Sequence, residues 1–453
     1  MTYRRLLSAN ADFRRLWMGQ VISEIGDWFN NIAVLALTIQ LAGRGREGQA
    51  VAFYAIARHL PLFLFGPLAG VVVDRVDRRR VMIAADLTRA VLALGFLVAN
   101  ISGRLTLIYV VGASLFAVSA FFNAAKRATI PNLTRGMDEL VSANSLSAST
   151  TAATIALGSA LGGLLSTFVG RNPVFILNAV TFLVSAEMIR RIRAVSGVQR
   201  AAGSEEKTMS SEERAASSEA QAASGVAPSA LSLTANRQLP AAYWIDFREG
   251  LRYVRRSRVL WAIFVVAAGW GLGNGVARAL YSIFGARLGL AAAEGLVARP
   301  ADFGISVLFV AMGLGGIIGA PIARRFNAAA GDALSLRMGR SMIFDGCGLA
   351  LFSLMPNLWV AALVLVAREI NFAIWWTAQQ TIIMSRTDNR YAGRVFASYE
   401  TLTTLMMVAA MLTAGATADR FGIKLVAATG GIVVALSGIM WFALNRNRKI
   451  STT

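Results

Sequence analysis

The sequence predicts an all-α polytopic membrane protein: twelve transmembrane helices arranged as two pseudo-symmetric six-helix bundles. Three observations carry this expectation. Apolar residues make up 56% of the 453 positions and charged ones only 15%, a composition too apolar for a surface that faces water on all sides. Runs of about 20 apolar residues, each long enough to cross about 30 Å of hydrocarbon, recur along nearly the whole chain. The 45 lysines and arginines, set against 25 acids, gather at the ends of these runs rather than along them.

In order, the runs fall near 15–41, 50–73, 81–100, 105–125, 140–168, 173–189, 259–284, 303–323, 340–356, 358–384, 393–418 and 424–444. The first begins after Arg14 and Arg15 and outlasts the apolar core of a cleavable leader, so it is expected to stay as the first helix. The longest hydrophilic break, Arg190 to Arg258, divides six runs from six. Its first part, Ser196 to Pro240, is rich in Ala, Ser, Glu and Gln and has too few large apolar residues to order itself. From Trp244 to Arg256 apolar and basic residues alternate at helical spacing, which suits an amphipathic helix on an anionic inner leaflet. The expected organisation is an N-terminal bundle over 1–195, a cytosolic linker with an amphipathic helix over 196–258, and a C-terminal bundle over 259–453.

A net charge of +20 invites comparison with nucleic-acid binders, but the basic residues follow membrane topology. With the amino terminus in the cytosol, the segments on that side hold 33 of the 45 lysines and arginines and the opposite loops hold 8. Both termini are therefore expected in the cytosol, with no nucleic-acid partner. Arg58, Arg89, Arg278 and Arg368 fall within runs, Arg278 near the outer end of its own, where it is expected to snorkel. A single cysteine, Cys347, rules out a disulfide framework and is expected to be a small core residue. One histidine, His59, excludes a multi-His metal centre and a hydrolytic triad, and no phosphate-binding Gly-x-x-x-x-Gly-Lys loop is present, so no metal, cofactor or enzymatic activity is expected.

The halves echo each other at a constant offset of 252 residues: Gly163 and Gly170 match Gly415 and Gly422, and Thr129-Ile130 match Thr381-Ile382. Internal duplication favours a clamshell around one central cavity. The turn after the second run reads Gly70-Val-Val-Val-Asp74-Arg75-Val-Asp77-Arg78-Arg79-Arg80. It resembles the helix 2 to 3 signature of the major facilitator superfamily. Gly70 would permit close helix approach, and Asp74 would be a carboxylate held among arginines at a helix end, a breakable latch. The alternative is a solvated loop obeying the positive-inside bias. The corresponding turn of the second half, Gly319-Ala-Pro-Ile-Ala323-Arg324-Arg325, lacks the acid, so the latch would be asymmetric. The resemblance implies that Asp74 meets the start of helix 11, at Ala392-Gly393-Arg394.

Phe13-Arg-Arg-Leu-Trp17, Gly26-Asp27-Trp28-Phe29, Asp86-Leu-Thr-Arg89-Ala, Ala143-Asn144-Ser-Leu and Phe247-Arg-Glu-Gly-Leu-Arg narrow the resemblance to the drug and siderophore exporter branch, which includes enterobactin and macrolide exporters. Helix 5 departs from the antiporter pattern of that branch, with Thr154 for its first glycine and Ser159 for its proline. Plain small-residue packing is the other account of this helix.

Ionisable residues at membrane depth are costly and so are candidate functional groups. Glu24 and Asp27 lie three residues apart on one helix face, about 15 to 20 Å from the inner end at 1.5 Å per residue. Two such carboxylates repel, and binding a proton or a cation relieves them, which makes them the leading proton-coupling candidates; a structural bond to a neighbouring helix is the alternative. Arg58 is a candidate counter-ion. Arg368 and Glu369 are expected to face the cavity because the resemblance makes helices 1, 4, 7 and 10 line it, and Glu400 adds a further candidate. Gly70, Asp74, Arg75, Arg78, Arg79 and Arg394 form the expected latch; Asp86 and Arg89, with Asp345, sit shallowly as latch or packing elements. Trp270, Trp375 and Trp376 are expected in an aromatic belt or facing lipid, with substrate stacking as the alternative.

The expected function is proton-coupled export of a small amphipathic molecule, drug-like or siderophore, by alternating access. The expected setting is a bacterial cytoplasmic membrane, with the chain acting as a monomer whose partners are its substrate, protons and an anionic inner leaflet. Transport of a lysophospholipid or a metal ion, or a non-transporting scaffold or sensor, remain as alternatives.

Overall fold

The computed structural model describes residues 3–193, 239–327 and 332–445; the linker expected over 196–240 lies almost wholly outside them, and so does the side chain of Asp74. Inside a bilayer no water satisfies backbone N–H and C=O groups, so the chain must pair them within helices. The described residues accordingly form fourteen helices. The first half contains α1 (Tyr3–Ala9), α2 (Ala11–Ala42), α3 (Glu47–Arg75), α4 (Arg78–Ser102), α5 (Leu105–Leu133), α6 (Met137–Phe168) and α7 (Arg171–Arg190). After the linker come α8 (Leu239–Arg256), α9 (Arg258–Ala293), α10 (Pro300–Phe326), α11 (Asp332–Leu354), α12 (Leu358–Ser385), α13 (Asn389–Phe421) and α14 (Ile423–Asn445).

Twelve of these helices have 20 residues or more, and nine are both long and apolar enough to cross a membrane. The helix α2 falls outside that group because Glu24, Asp27, Asn30 and Asn31 interrupt its apolar run. Local chemistry sets the turns. Asn10, Asp77, Ser257 and Asn357 cap α2, α4, α9 and α12 with their side-chain oxygens, and Gly103 ends α4 in the left-handed conformation at φ 65°.

Several helices overrun the predicted apolar runs, since a helix continues past the hydrocarbon until a cap or turn stops it. Thus α5 extends to Leu133 and carries Lys126 and Arg127 inside the helix, and α9 extends to Ala293, leaving Arg278 near its middle. Cys347, expected in the core, is exposed. Lipid accepts an apolar surface as readily as a core does, so an apolar run does not tell the two apart.

The helices α2 to α7 pack among themselves, as do α9 to α14, and the halves meet along two seams, α6 against α10 and α3 against α13. Of the glycines that repeat at the 252-residue offset, Gly163 and Gly415 occupy equivalent places on these seams. A Cβ on Gly163 would collide with Ser306 of α10, and one on Gly415 with Ala52 and the backbone of Gly48 in α3. The described side chains of the amphipathic α8 meet protein: Val254 is fully buried, Tyr253 stacks on Tyr391 at 4.6 Å, and Glu249 pairs with Arg394 at 2.8 Å.

Candidate functional site

Between the halves lies a cavity of about 1520 Å³. The first half presents Trp28, Asn31, Tyr54, Arg58 and His59 to it, from α2 and α3, and the second half presents Arg278, Tyr281, Phe309, Glu369 and Trp376, from α9, α10 and α12. The lining runs to the end of the bundle at which α2 begins, where Ser142, Ser145 and Ser149 of α6 face Ala320 and Arg324 of α10.

The opposite end is sealed across both seams. Asp302, at the start of α10 and fully buried, accepts from Arg171 of α7 at 3.0 and 2.8 Å and from the Ser166 hydroxyl. Arg299 donates to the carbonyls of Ser166 and Thr167, and the Ser306 hydroxyl donates to the Ser159 carbonyl at 2.6 Å. On the other seam α3 starts without a side-chain cap of its own. Asp419, at the far end of α13, supplies it by accepting from the N–H groups of Gly48 at 2.8 Å and Gln49 at 2.9 Å.

A second, smaller cavity of about 180 Å³ sits inside the first half and holds Glu24, Asp27, Arg89 and Lys126; Trp28, Arg58 and Thr151 line both cavities and form the wall between them. Glu24 accepts from Gln20 at 2.8 Å and Thr154 at 3.1 Å and pairs with Lys126 at 3.5 Å. Thr154, where the antiporter pattern has glycine, is thus bonded to the acid. Asp27 has no hydrogen bond or ion pair among the described residues and opens into this small cavity. The two carboxylates therefore share a face of α2 and a chamber, but only Glu24 has a cation in contact.

Other sequence expectations are corrected by packing. Arg58 does not pair with either acid; it donates to Asn31, with its guanidinium over Trp28 at 5.3 Å and Phe116 at 5.0 Å. Arg368, expected to face the cavity, is 2% exposed and held by Asp345 at 2.9 Å and by the Tyr281 hydroxyl, because α11 brings Asp345 behind it. Its neighbour Glu369 does line the cavity. Arg278, expected to snorkel outward, faces the cavity instead. Asp86 pairs with Arg89 in the core of the first half, where Arg89 also lies over Phe122 and Phe182. Glu400 lines a separate pocket with His59 and Arg127. Trp270 and Trp375 face neither lipid nor cavity but stack at 4.9 Å in the core of the second half, while Trp376 reaches the cavity.

Of the expected latch, the side chain of Asp74 lies outside the described residues, and the contacts of the others are these. Arg78 donates to the Ala128 carbonyl at 2.8 Å and Arg79 to the Arg190 carbonyl, both within the first half, Arg75 is exposed, and Arg394 pairs with Glu249 in the second half. Among the described residues nothing lies within 4 Å of a Cβ built on Gly70.

Comparison with known proteins decides the class of this arrangement, since the Major Facilitator Superfamily profile matches residues 16–411. The chain belongs to the Major Facilitator Superfamily. This facilitator is similar to the "Putative bacilysin exporter BacE" of Bacillus subtilis (strain 168), at 25% identity over 85% of this chain and 83% of that one. It is also similar to macrolide efflux protein A of Streptococcus pyogenes, at 22% identity over 97% of each chain. Its fold matches the crystal structures of the nucleoside transporter NupG (TM-score 0.65, 10% identity, 96% of this chain and 100% of that one) and of the peptide transporter POT in complex with sulfate (TM-score 0.64, 13% identity, 98% of each). The facilitator is a multi-pass membrane transport protein, and the relatives it resembles include exporters.

Sequence reasoning missed Arg278, Lys126, Asp302 and Asp419. Helix length was the available signal for the first two: counted to its caps, α9 puts Arg278 just past its midpoint and α5 keeps Lys126 within the helix. The two aspartates pair across more than 130 residues of sequence, and no local pattern marks that.

Proposed function

We propose that this facilitator is a proton-coupled exporter that works by alternating access in the bacterial cytoplasmic membrane, as a monomer with both termini in the cytosol, and that the structure is its cytosol-open state. One observation carries the reading: the large cavity between the halves is lined from mid-depth to the chain-terminus end and sealed at the other by contacts that cross the halves. The 33 to 8 division of basic residues supports the orientation, and the exporter relatives support the direction of transport. Residues 1–195 and 259–453 would move as the two bodies, with 196–258 tying them. The Asp74 cluster would close the cytosolic end in the opposite state, with Gly70, Arg75 and Arg394 brought to it.

Asp27 is the proposed proton carrier, with Glu24 held by Lys126 beside it. Arg58 stands in the wall between this acid and the cavity, so a ligand that moves Arg58 changes the field at Asp27. The test is uptake of a labelled macrolide into inverted proteoliposomes under an imposed pH gradient. Asp27→Asn is expected to abolish gradient-driven transport and leave equilibrium exchange, because the amide imitates the protonated acid. Full transport with unchanged pH dependence in both Asp27→Asn and Glu24→Gln would sink the coupling assignment. A reporter fused at Ser217 that worked only outside the cytosol would sink the orientation.

A further inference from the structure

The charges that line the central cavity are unequal. From the first half comes Arg58, from the second Arg278 and, toward the open end, Arg324, and against these three guanidiniums stands one carboxylate among the described lining residues, Glu369. Of the other carboxylates on these helices, Asp345 is bound to Arg368, Glu24 to Lys126 and Asp86 to Arg89, while Asp27 opens into the smaller cavity behind Arg58 and not into this one. Arg278 makes no hydrogen bond or ion pair within 4 Å among the described residues; the charges whose fields reach it are Glu369 first and then Arg58, and both guanidiniums act on the single histidine, His59. A guanidinium carries five N–H donors, and among the described residues Arg58 has Asn31 as its one hydrogen-bond partner, so both groups bring unused donors to the cavity they line. A charge kept without a partner at membrane depth is costly, and an oxyanion offered to two guanidinium forks offsets that cost better than any neutral group.

Glu369 has a different position. Its nearest cation is Arg368 at 3.7 Å, which is itself held by Asp345 at 2.9 Å, so an oxygen of Glu369 remains for a ligand. The aromatic faces of Trp28 and Phe309, 5.9 Å apart and from opposite halves, with Trp376, supply apolar area for the rest of the molecule.

Resting on the transporter reading above, we infer that the cavity is built for a zwitterionic amphiphile, with its oxyanion bridging Arg58 and Arg278, its ammonium on Glu369 and its apolar body between the aromatic residues. A zwitterion adds no net charge to the cavity, so it satisfies the free guanidinium without disturbing the paired clusters on either side. The oxyanion contact also spans the halves, which links occupancy to closure.

Three probes with one fluorophore and different charge separate the possibilities: Nε-dansyl-lysine (zwitterion), dansylglycine (anion) and dansylcadaverine (cation), titrated on purified protein in detergent with no gradient. Nε-dansyl-lysine is expected to bind most tightly and dansylcadaverine least. Arg278→Gln should weaken both acidic probes by about tenfold or more, the usual effect of losing a charge-assisted hydrogen bond. Arg278→Lys should recover part of that loss, and Glu369→Gln should weaken Nε-dansyl-lysine while sparing dansylglycine. Displacement of the bound probe by lysophosphatidylethanolamine would assign the oxyanion to a lipid phosphate; retention would assign it to a soluble carboxylate. The inference is overturned if dansylcadaverine binds as tightly as Nε-dansyl-lysine, if no probe binds at millimolar concentration, or if Arg278→Gln melts like the parent and binds the acidic probes unchanged. Because binding is read without a gradient, those outcomes leave proton-driven macrolide transport to be judged by its own assay.

Discussion

The two ends of the central cavity are held by different kinds of contact. At the sealed end, a carboxylate of the second half reaches the first half on each seam: Asp302 meets Arg171 on the α6 side, and Asp419 caps α3 on the α13 side. At the open end, Arg78 and Arg79 donate to carbonyls of their own half, and Arg394 pairs with Glu249 of α8. The difference teaches that the seal is made of polar contacts which exist only while the halves touch, whereas Arg78 and Arg79 at the open end are satisfied without the other half. A transporter that alternates must exchange one condition for the other at similar free energy, so each set of contacts is expected to be individually breakable.

The largest effect is expected from the buried pair. Asp302→Ala leaves the Arg171 guanidinium, 9% exposed, without its carboxylate, a loss of about 3–5 kcal/mol for a buried ion pair broken from one side. The outcome should be a lower melting temperature and, in a Cys347→Ser background, rapid labelling of a cysteine placed at Leu165; unchanged labelling would show that the seal does not depend on this pair. Asp302→Leu with Arg171→Met should restore most of the stability.

Next comes the close approach on the same seam. Gly163→Leu forces a side chain into Ser306, and overpacking costs about 1–3 kcal/mol, all of it charged to the sealed state. Spin labels across the sealed end should report a longer distance, whereas an unaltered distance distribution would place the glycine in ordinary packing.

Asp419→Ala removes a helix cap that lies across the halves, which costs about 0.5–2 kcal/mol. Because the cap exists only when the seam is closed, this loss should shift the population toward opening rather than unfold the protein. Equal opening in parent and variant by the same spin-label distance would break the comparison. The smallest effect is expected at the open end, where Arg394→Ala deletes a partner of Glu249, the two side chains being 40% and 43% exposed. Pairs so accessible to solvent contribute less than about 1 kcal/mol, so the melting temperature should hardly move.

Much of this was legible in the residues. The repeat register put Gly163 and Gly415 in equivalent positions before any coordinates, and both proved to be seam glycines. Glu24 and Asp27 were readable as a pair on one face of α2, and they do share a chamber. Arg368 and Glu369, adjacent in sequence, were not separable: one is locked behind Asp345 and the other faces the cavity, a matter of rotation about α12 that depends on where α11 packs. The tryptophans show the same limit. Trp375 is 1% exposed and Trp376 lines the cavity, yet both sit in one apolar run.

By itself the sequence determined the helical membrane class, the long apolar elements, their division into two halves and the bias of basic residues to one side. These follow from quantities that accumulate along the chain: hydrocarbon thickness sets run length, unsatisfied backbone groups demand helices, and charge at run ends sets orientation. Only the tertiary structure decided which faces of those helices look at lipid, core or cavity, and which charges meet. In a bilayer the outside is as apolar as the inside, so amphipathic periodicity, which in water separates surface from core, is nearly silent. The pairings of Asp302 with Arg171 and of Asp419 with α3, and the turn of Arg278 into the cavity, were settled by the docking of one half on the other.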